Sequence, residues 1–548
     1  MSHRTGAKGG LTLALGAGML LAATAPAAAT PEDRPPSGPP STAEEIAAVV
    51  DQMSIDELIG QMTWTHVYGN SADDDSMAAS NRARYGVDTP AEVVQKYDLG
   101  GALYFSWSNP VVSDDPVGTA ELSNGLQAAS TGAEGSGIPL AVTIDQEGGI
   151  VARMGEPATV LPGNMALGAT FDPDLAHAQG ELLGSEMAAV GVNVDFAPVL
   201  DVNTNPDNPV IGVRSMGGDP ELVARLGVQQ IKGMQSAGIA ATAKHFPGHG
   251  DTATDSHTGL PIVRYDRETL KQHLIPFKAA IDAGIDMIMT AHIIVEAIDP
   301  EMPGTLSHEV LTGLLREELG FDGLITTDAL DMDALKNIPD HPLDDGDIAA
   351  LAIEAGSDIL LNSPDVDAAL AGVHEAIEAG DITREHLEAS VTRILQWKVD
   401  RGVWDGDASV PVDQVMDVVG TPEHLATAAE IGERAVTMLR NDDGVLPLDP
   451  QSDSVLMVGA GSGWPERMGP ILIDRGFTVT EMYENGPSPS PEYRERAVAA
   501  ASEHDAVVFT SYNANAAQQQ MVAELAQTGT PVIVVATRNP YDAALLPQ

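Results

Sequence analysis

The sequence predicts an α/β protein in which a TIM-type (β/α)8-like barrel is followed by a smaller α/β/α three-layer domain. Three observations predict it. Short apolar runs alternate with amphipathic helical stretches over roughly 350 residues, which argues for parallel strands joined by right-handed crossovers. Polar and charged residues recur at the C-terminal ends of those runs, the face on which a barrel gathers its loops. A second, shorter series of the same alternation begins near Glu433. A closed barrel accommodates so many units best, and an open doubly wound sheet is the competing arrangement.

Arg4 and Lys8 precede an apolar stretch at 11–23 and the small residues Ala25–Ala29, apart from Pro26, so residues 1–29 read as a signal peptide. The Pro-rich run 30–41 is a spacer. Thr42 is placed to cap a helix, and Leu58, Ile59 and Met62 follow at helical spacing. Strands are expected at Gly101–Phe105, Leu140–Ile144, Val192–Ala197, Ala240–Lys244, Met287–Ala291, Gly323–Thr327 and Asp358–Leu361. Helices between and after them are expected at Leu175–Val190, Glu221–Ala237, Glu268–Ala283 and Arg384–Trp397. The barrel then occupies 42–400, and 401–432, mostly turns and polar helix, reads as a linker.

In 433–548, strands at Val455–Val458, Phe477–Met482, Ala506–Thr510 and Val532–Ala536 alternate with helices at Glu466–Asp474, Tyr493–Ser502 and Ala517–Gln527. The chain stops soon after a strand with no closing helix, so this domain reads as incomplete. Glycines at 459, 461 and 463 follow a strand, but no acidic ribose ligand accompanies them, and no dinucleotide site is expected.

With 43% hydrophobic and 20% charged residues in 548, the chain has the material for a large core and is not globally disordered. Lys and Arg number 28 against 80 Asp and Glu, a formal charge of −52. Such a surface repels nucleic acid and anionic lipid, and it tolerates salty surroundings because screening relieves self-repulsion. There is no cysteine, which excludes disulfides, thiolate nucleophiles, zinc–thiolate sites and a lipid-modified N-terminal Cys. No stretch after the leader is long and apolar enough to span a bilayer. The mature protein is expected to be secreted and soluble, with no lipid anchor and no membrane insertion.

The chemistry-bearing residues fall at strand ends: Asp145-Gln146-Glu147-Gly148-Gly149, Asp201, Lys244-His245, His292 and Asp328. The densest cluster is Lys244–His257, KHFPGHGDTATDSH, which leaves a strand and enters a Gly/Pro/Thr loop expected to be mobile over the barrel mouth. It admits a plain surface loop, a metal site using His245, His249, Asp251, Asp255 and His257, or a general acid/base His257 oriented by Asp255 two residues earlier. Asp328 ends the apolar strand Gly323–Thr327, where a carboxylate either caps the next helix or attacks a sugar carbon from the barrel mouth.

The stretch Lys244–His257 resembles the K-H-F-P-G-H-G…D-S-H signature of bacterial β-N-acetylglucosaminidases of glycoside hydrolase family 3. Asp145–Gly149 resembles that family's D-Q-E-G-G segment, Asp195–Val202 its F-A-P-V-x-D-V strand, and Thr327–Met332 the strand end bearing the nucleophile. Ala435–Leu448 and Arg538-Asn539-Pro540-Tyr541-Asp542 are similar to its second domain, so the resemblance runs from about 42 to 548. It implies a retaining exo-glycosidase acting on terminal N-acetylglucosamine in cell-wall fragments or chitooligosaccharides. It further implies Asp328 as nucleophile, His257 as acid/base, Asp255 as its orienting group, and Asp145, Arg153, Arg214, Lys244 and His245 as ligands of the sugar hydroxyls. Ile150 departs from the family, where an Arg is usual, and the family's two-domain members run further past the Asn-Pro-Tyr-Asp motif. The expected partner is a small carbohydrate, with no cofactor and no metal. The competing activities are phosphorolysis of an N-acetylglucosaminide, which a neutral histidine base would admit, metal-dependent hydrolysis through the His/Asp cluster, and sugar binding without catalysis.

Overall fold

A computed structural model describes residues 40–339, 341–404, 408–461 and 464–546. The signal peptide, most of the spacer, and Ser462-Gly463 lie outside the described residues. Eight short parallel strands form one sheet: β1 Thr63–His66, β2 Gly101–Tyr104, β3 Ala141–Ile144, β4 Val194–Asp195, β5 Ala240–Phe246, β6 Met287–Thr290, β7 Leu324–Thr326 and β8 Leu360–Leu361. Their order is β8-β1-β2-β3-β4-β5-β6-β7, sequential around the ring, and a bridge from Thr326 to Ile359 joins β7 to the residue before β8. The sheet is therefore a nearly closed barrel, and the open doubly wound arrangement is excluded.

The seven expected strands are present, and β1 is the additional one. Its sequence, Thr-Trp-Thr-His, has no apolar run, yet all four residues are buried because β8 and β2 flank it on both edges. Before it, helices Ala43–Gln52 and Ile55–Met62 start at Thr42 and at a Ser54–Glu57 capping box. Helices Pro173–Ala189, Pro220–Ser236 and Arg267–Asp282 each begin after an aspartate whose side chain accepts from the first-turn amides, and the first two carry proline at the first helical position. The first two pack at very short range. A Cβ added to Gly180 would lie 2.1 Å from the Gln230 carbonyl oxygen, and one added to Gly233 would lie 2.2 Å from that of His177.

The base of the barrel is tied by buried polar groups. Lys398 donates to Gln61 Oε1 and to the Gly100 carbonyl, both at 3.0 Å, and its burial pushes the amine down to about 7. Asp358 accepts from both Arg316 and Arg393. Within 408–432 the chain is packed rather than loose. Helix Pro422–Ala435 brings His424 Nδ1 to Glu186 Oε1 (2.8 Å) and Arg434 to Asp172 (2.7 Å) on the outer helix Pro173–Ala189.

A second parallel sheet holds β9 Ser454–Gly459, β10 Thr478–Met482, β11 Ala506–Ser511 and β12 Val532–Ala536, in the order β10-β9-β11-β12. Leu456, Val458, Val507 and Phe509 face Tyr493, Ala497, Met521 and Leu525 of helices Pro491–Ala501 and Ala516–Ala526. Val455, Met457 and Val508 face Met468 and Leu472 of helix Trp464–Asp474 on the other side. These are the expected three layers. Tyr541, just past β12, reaches the catalytic-face loops of the barrel, where its hydroxyl accepts from Asn203 Nδ2 at 2.8 Å.

The glycine contacts yield opposite expectations for two helical substitutions. Gly180→Ala forces a methyl against the Gln230 carbonyl and lowers stability by about 1–3 kcal/mol. Gly432→Ala, on helix Pro422–Ala435 with nothing within 4 Å of the new carbon, raises it by about 0.5–1 kcal/mol through helix propensity. Thermal melts followed by far-UV circular dichroism should move in opposite directions; equal shifts would contradict the packing described.

Candidate active site

The ends of β3, β4 and β5 lie side by side, so the residues leaving them share one buried space. Lys244, 2% exposed, donates to Asp145 Oδ1 and approaches Glu147 Oε1, both at 2.8 Å. Arg214 grips Glu147 with two bonds, Nε–Oε2 2.9 Å and Nη2–Oε1 2.7 Å. Arg153 reaches Asp145 Oδ2 at 3.1 Å. It returns to that point because Gly148 and Gly149, at φ +83° and +64°, turn the chain back, and Gln146 Oε1 accepts from the Arg153 amide at 2.7 Å. Burial alone would raise both carboxyls, but Lys244 and Arg153 hold Asp145, and Arg214 and Lys244 hold Glu147, below their usual range.

Asp195, at the end of β4, behaves oppositely. It is fully buried, accepts only the Gln146 amide (2.9 Å), and its Oδ2 has no partner among the described residues. Burial pushes it up to about 8, so it holds a proton while the two carboxylates beside it stay charged.

Asp201 organises the segment after β5. It accepts from His245 Nδ1 (2.7 Å), from the His245 amide (3.2 Å) and from the His249 amide. Burial would raise this carboxyl, but His245 and His249 hold it below its ordinary value. His245 Nε2 in turn lies 3.4 Å from Arg214 Nη2. His249 is buried between Thr252 Oγ1 (2.7 Å) and Ser256 Oγ (3.1 Å), and burial pushes it down to about 4. Asn205 and Asn208 donate to the Thr252 and His249 carbonyls. The first half of the loop is thus pinned rather than mobile, because its anchors come from the loop after β4, distant in sequence.

The second half is open. Asp255 Oδ1 accepts both the His257 amide (2.9 Å) and His257 Nδ1 (2.8 Å), with the imidazole side chain 55% exposed. These bonds hold the Asp255 carboxyl below its usual range although burial opposes them. Between the two, the Ser256 carbonyl accepts from the Ala334 amide (3.2 Å), which ties this turn to the segment following Asp328.

Asp328 leaves β7 at 8% exposure. Its amide donates to Thr290 Oγ1 (3.4 Å), Thr290 contacts Thr305 (2.7 Å), Thr305 contacts His292 Nδ1 (2.7 Å), and His292 Nε2 donates to the Ala329 carbonyl (2.9 Å). That closed circuit fixes the peptide on both sides of the aspartate. Its Oδ1 accepts the Ala329 amide at 2.8 Å, and Oδ2 has no hydrogen bond among the described residues. Burial would raise the carboxyl, but His245 and His292 keep it ionised below its usual range. The result is a rigid anion with one unengaged oxygen at the barrel mouth.

Asp145, Arg153, Arg214, Lys244 and His245 therefore converge in one linked cluster, Asp328 lies near it through His245, and Asp255–His257 form a pair on the loop between them. Glu147, placed at a strand end by the sequence but given no role there, binds both Lys244 and Arg214. Sequence reasoning passed over Arg84, whose Nη2 donates to Asn362 Oδ1 (3.2 Å), and Asn362, which donates to Asp331 Oδ2 (2.9 Å). Their contacts span β1, β7 and β8 and leave no local pattern. The histidines and acids of 245–257 are divided among separate partners, and no three His, Asp or Glu side chains are grouped to hold an ion among the described residues.

A family model for the glycosyl hydrolase family 3 N terminal domain matches residues 54–397. Beta-hexosaminidase A of Pseudoalteromonas piscicida is 38% identical over 397 residues, covering 67% of this chain and 64% of that protein, so the chain spans less than two thirds of that relative. A beta-N-acetylglucosaminidase/beta-glucosidase of Cellulomonas fimi is 29% identical over 74% of this chain and 76% of its own. Among solved structures, a glycoside hydrolase family 3 beta-N-acetylglucosaminidase from Paenibacillus sp. str. FPU-7 superposes with a TM-score of 0.76 at 36% identity, over 90% of this chain and 92% of that one. With its barrel, its strand-end cluster and these matches, the chain belongs to glycosyl hydrolase family 3.

Proposed function

We propose that the chain is a retaining exo-glycosidase that releases terminal N-acetylglucosamine from β-linked cell-wall fragments or chitooligosaccharides. The observation that carries this reading is Asp328, an immobilised anion with a free oxygen, set beside a hydrogen-bonding cluster suited to sugar hydroxyls. Relatives named beta-hexosaminidase and beta-N-acetylglucosaminidase support the choice of sugar. Residues 1–29 act as an export signal, which delivers the enzyme to such substrates outside the cytoplasm.

In this reading Asp145, Arg153, Arg214, Lys244 and His245 hold the terminal ring by its hydroxyls. Asp328 attacks the anomeric carbon while His257, as imidazolium, gives its proton to the glycosidic oxygen. The C–O bond to the aglycone breaks and an ester to Asp328 forms. His257, now neutral, takes a proton from water, whose oxygen displaces Asp328 and returns the free sugar. Asp255 stays anionic throughout and stabilises the imidazolium form. No second carboxylate is needed as the proton donor.

Asp328→Ala is expected to abolish turnover and Asp328→Asn to leave at most a trace, with the circular dichroism melt unchanged. Near-wild-type activity of either would remove Asp328 as nucleophile.

His257→Ala is expected to slow poor leaving groups most, because an acidic phenol departs without a proton. With such an aryl glycoside the variant should accumulate a glycosyl adduct on Asp328, visible by mass spectrometry of the intact protein. Both carboxyls are depressed, so each loses its charge only as the pH falls below the ordinary carboxylate range. The kcat/KM of the wild type should therefore show no acidic fall from Asp328 or Asp255 until the pH drops below that range. Equal losses for poor and good leaving groups in His257→Ala would remove His257 as the acid/base.

Hydrolysis of a chromogenic GlcNAc β-glycoside, compared with the glucoside, tests the activity itself. The expected result is preference for GlcNAc, full activity after dialysis against chelator, and free sugar as product even with phosphate present. A sugar phosphate as the main product indicates phosphorolysis, and loss on chelation with recovery on adding a divalent ion indicates a metal-dependent hydrolase.

A further inference from the structure

Strand β2 runs out into Phe105-Ser106-Trp107, and Trp107 remains 55% exposed at the same end of the barrel as Asp145 and Asp328. Its position is nonetheless closely fixed. Phe105 stacks on it with ring centroids 5.0 Å apart and planes 18° from parallel. The guanidinium of Arg153 lies 5.2 Å from the Phe105 centroid, and Arg153 is bonded to Asp145. On another side the rings of His66 and Tyr68 lie against the indole, with centroids 4.7 and 5.7 Å away and planes inclined by 69° and 59°.

His66, at the end of β1, is itself anchored. Its Nδ1 is 2.7 Å from Asn362 Oδ1, and Asn362 donates to Asp331, three residues past Asp328. Since Asn362 Oδ1 also accepts from Arg84, the proton between it and His66 belongs to Nδ1. Burial first, and Arg84 second, push this histidine down to about 3, so the ring is uncharged. A tryptophan needed only for packing would be buried with its neighbours, and one without a role would not be braced by three other rings. Instead, an open, uncharged aromatic surface stands between the Asp145 side and the Asp328 side of the mouth.

We propose that Trp107, backed by Phe105, is a stacking platform for the pyranose ring of the terminal N-acetylglucosamine. The C–H face of a pyranose is apolar and its hydroxyls lie around the rim, so a ring resting on the indole directs its polar edge toward Asp145, Arg153 and Lys244. An uncharged platform suits a neutral sugar. Trp107 is thus a substrate-positioning residue, and the assignment of the sugar rests on the function proposed above.

Two measurements test it separately from that function. In the first, GlcNAc is titrated into the protein and tryptophan emission is followed; the wild type should shift and Trp107→Phe should not. In the second, Trp107→Ala should raise KM for the chromogenic GlcNAc glycoside, and weaken inhibition by free GlcNAc, about tenfold with a smaller loss in kcat, and Trp107→Phe should restore most of the affinity. An emission shift that persists in Trp107→Phe, no shift in the wild type, or KM and inhibition within about twofold of wild type in Trp107→Ala would overturn the platform. A wild type that binds GlcNAc through Trp107 without cleaving its glycosides would count against the glycosidase reading alone.

Discussion

A lysine buried between two carboxylates is the constraint on which the rest depends. Lys244 has 2% of its side chain exposed and rests against Asp145 and Glu147, which are tied in turn to Arg153 and Arg214. Two anions and three cations alternate in a space from which water is largely removed, with one positive charge in excess. Taking away one partner would leave an uncompensated buried charge, a loss of about 3–5 kcal/mol. The arrangement exists only if β3, β4 and β5 end at the same height, so the barrel's parallel, sequential order is a precondition of the site. Asp201 and the protonated Asp195 complete the same patch from β4.

The parts of this molecule legible in its sequence are those set by local chemistry. Amphipathic spacing places the helices at 175–190 and 221–237, within two residues of Pro173–Ala189 and Pro220–Ser236, and apolar runs bounded by polar residues mark β2 to β8. Strand-end positions of Asp145, Lys244, His245 and Asp328 follow from the same reading, as does the Asp255–His257 pairing, because two residues of separation suffice to bring those side chains together. What escaped depends on strands that meet only in the fold. The β1 segment is polar in composition and is a strand because two neighbours enclose it. The first half of the loop after β5 is rigid through Asp201, Asn205 and Asn208, which its own Gly- and Thr-rich sequence does not disclose. The aromatic group around Trp107 draws on β1, β2 and a residue past β8.

The second sheet is not remote from this chemistry. Tyr541 holds Asn203, which lies two residues after Asp201, and Asn203 also accepts from the Gly212 amide shortly before Arg214. Asp542, buried beside it, accepts from Ser511 and Ala514 at the end of β11. The four-stranded sheet thus braces the loop from which both Asp201 and Arg214 project.

The Asp255–His257 turn differs from everything around it. Its two bonds are internal to three residues, and Ser256 ties it outward twice, by its carbonyl to the Ala334 amide and by its Oγ to His249 (3.1 Å). The Asp255–His257 pair is therefore held mainly from within its own turn, unlike the cross-strand ion cluster. Changes at Asp255 or His257 leave the bonds of the buried ion cluster in place, whereas removal of one cluster partner leaves the others less compensated. A barrel divided in this way places an exchangeable surface turn above a buried, mutually dependent core of charge, so substitutions in the turn cost the fold far less than substitutions in the cluster beneath it.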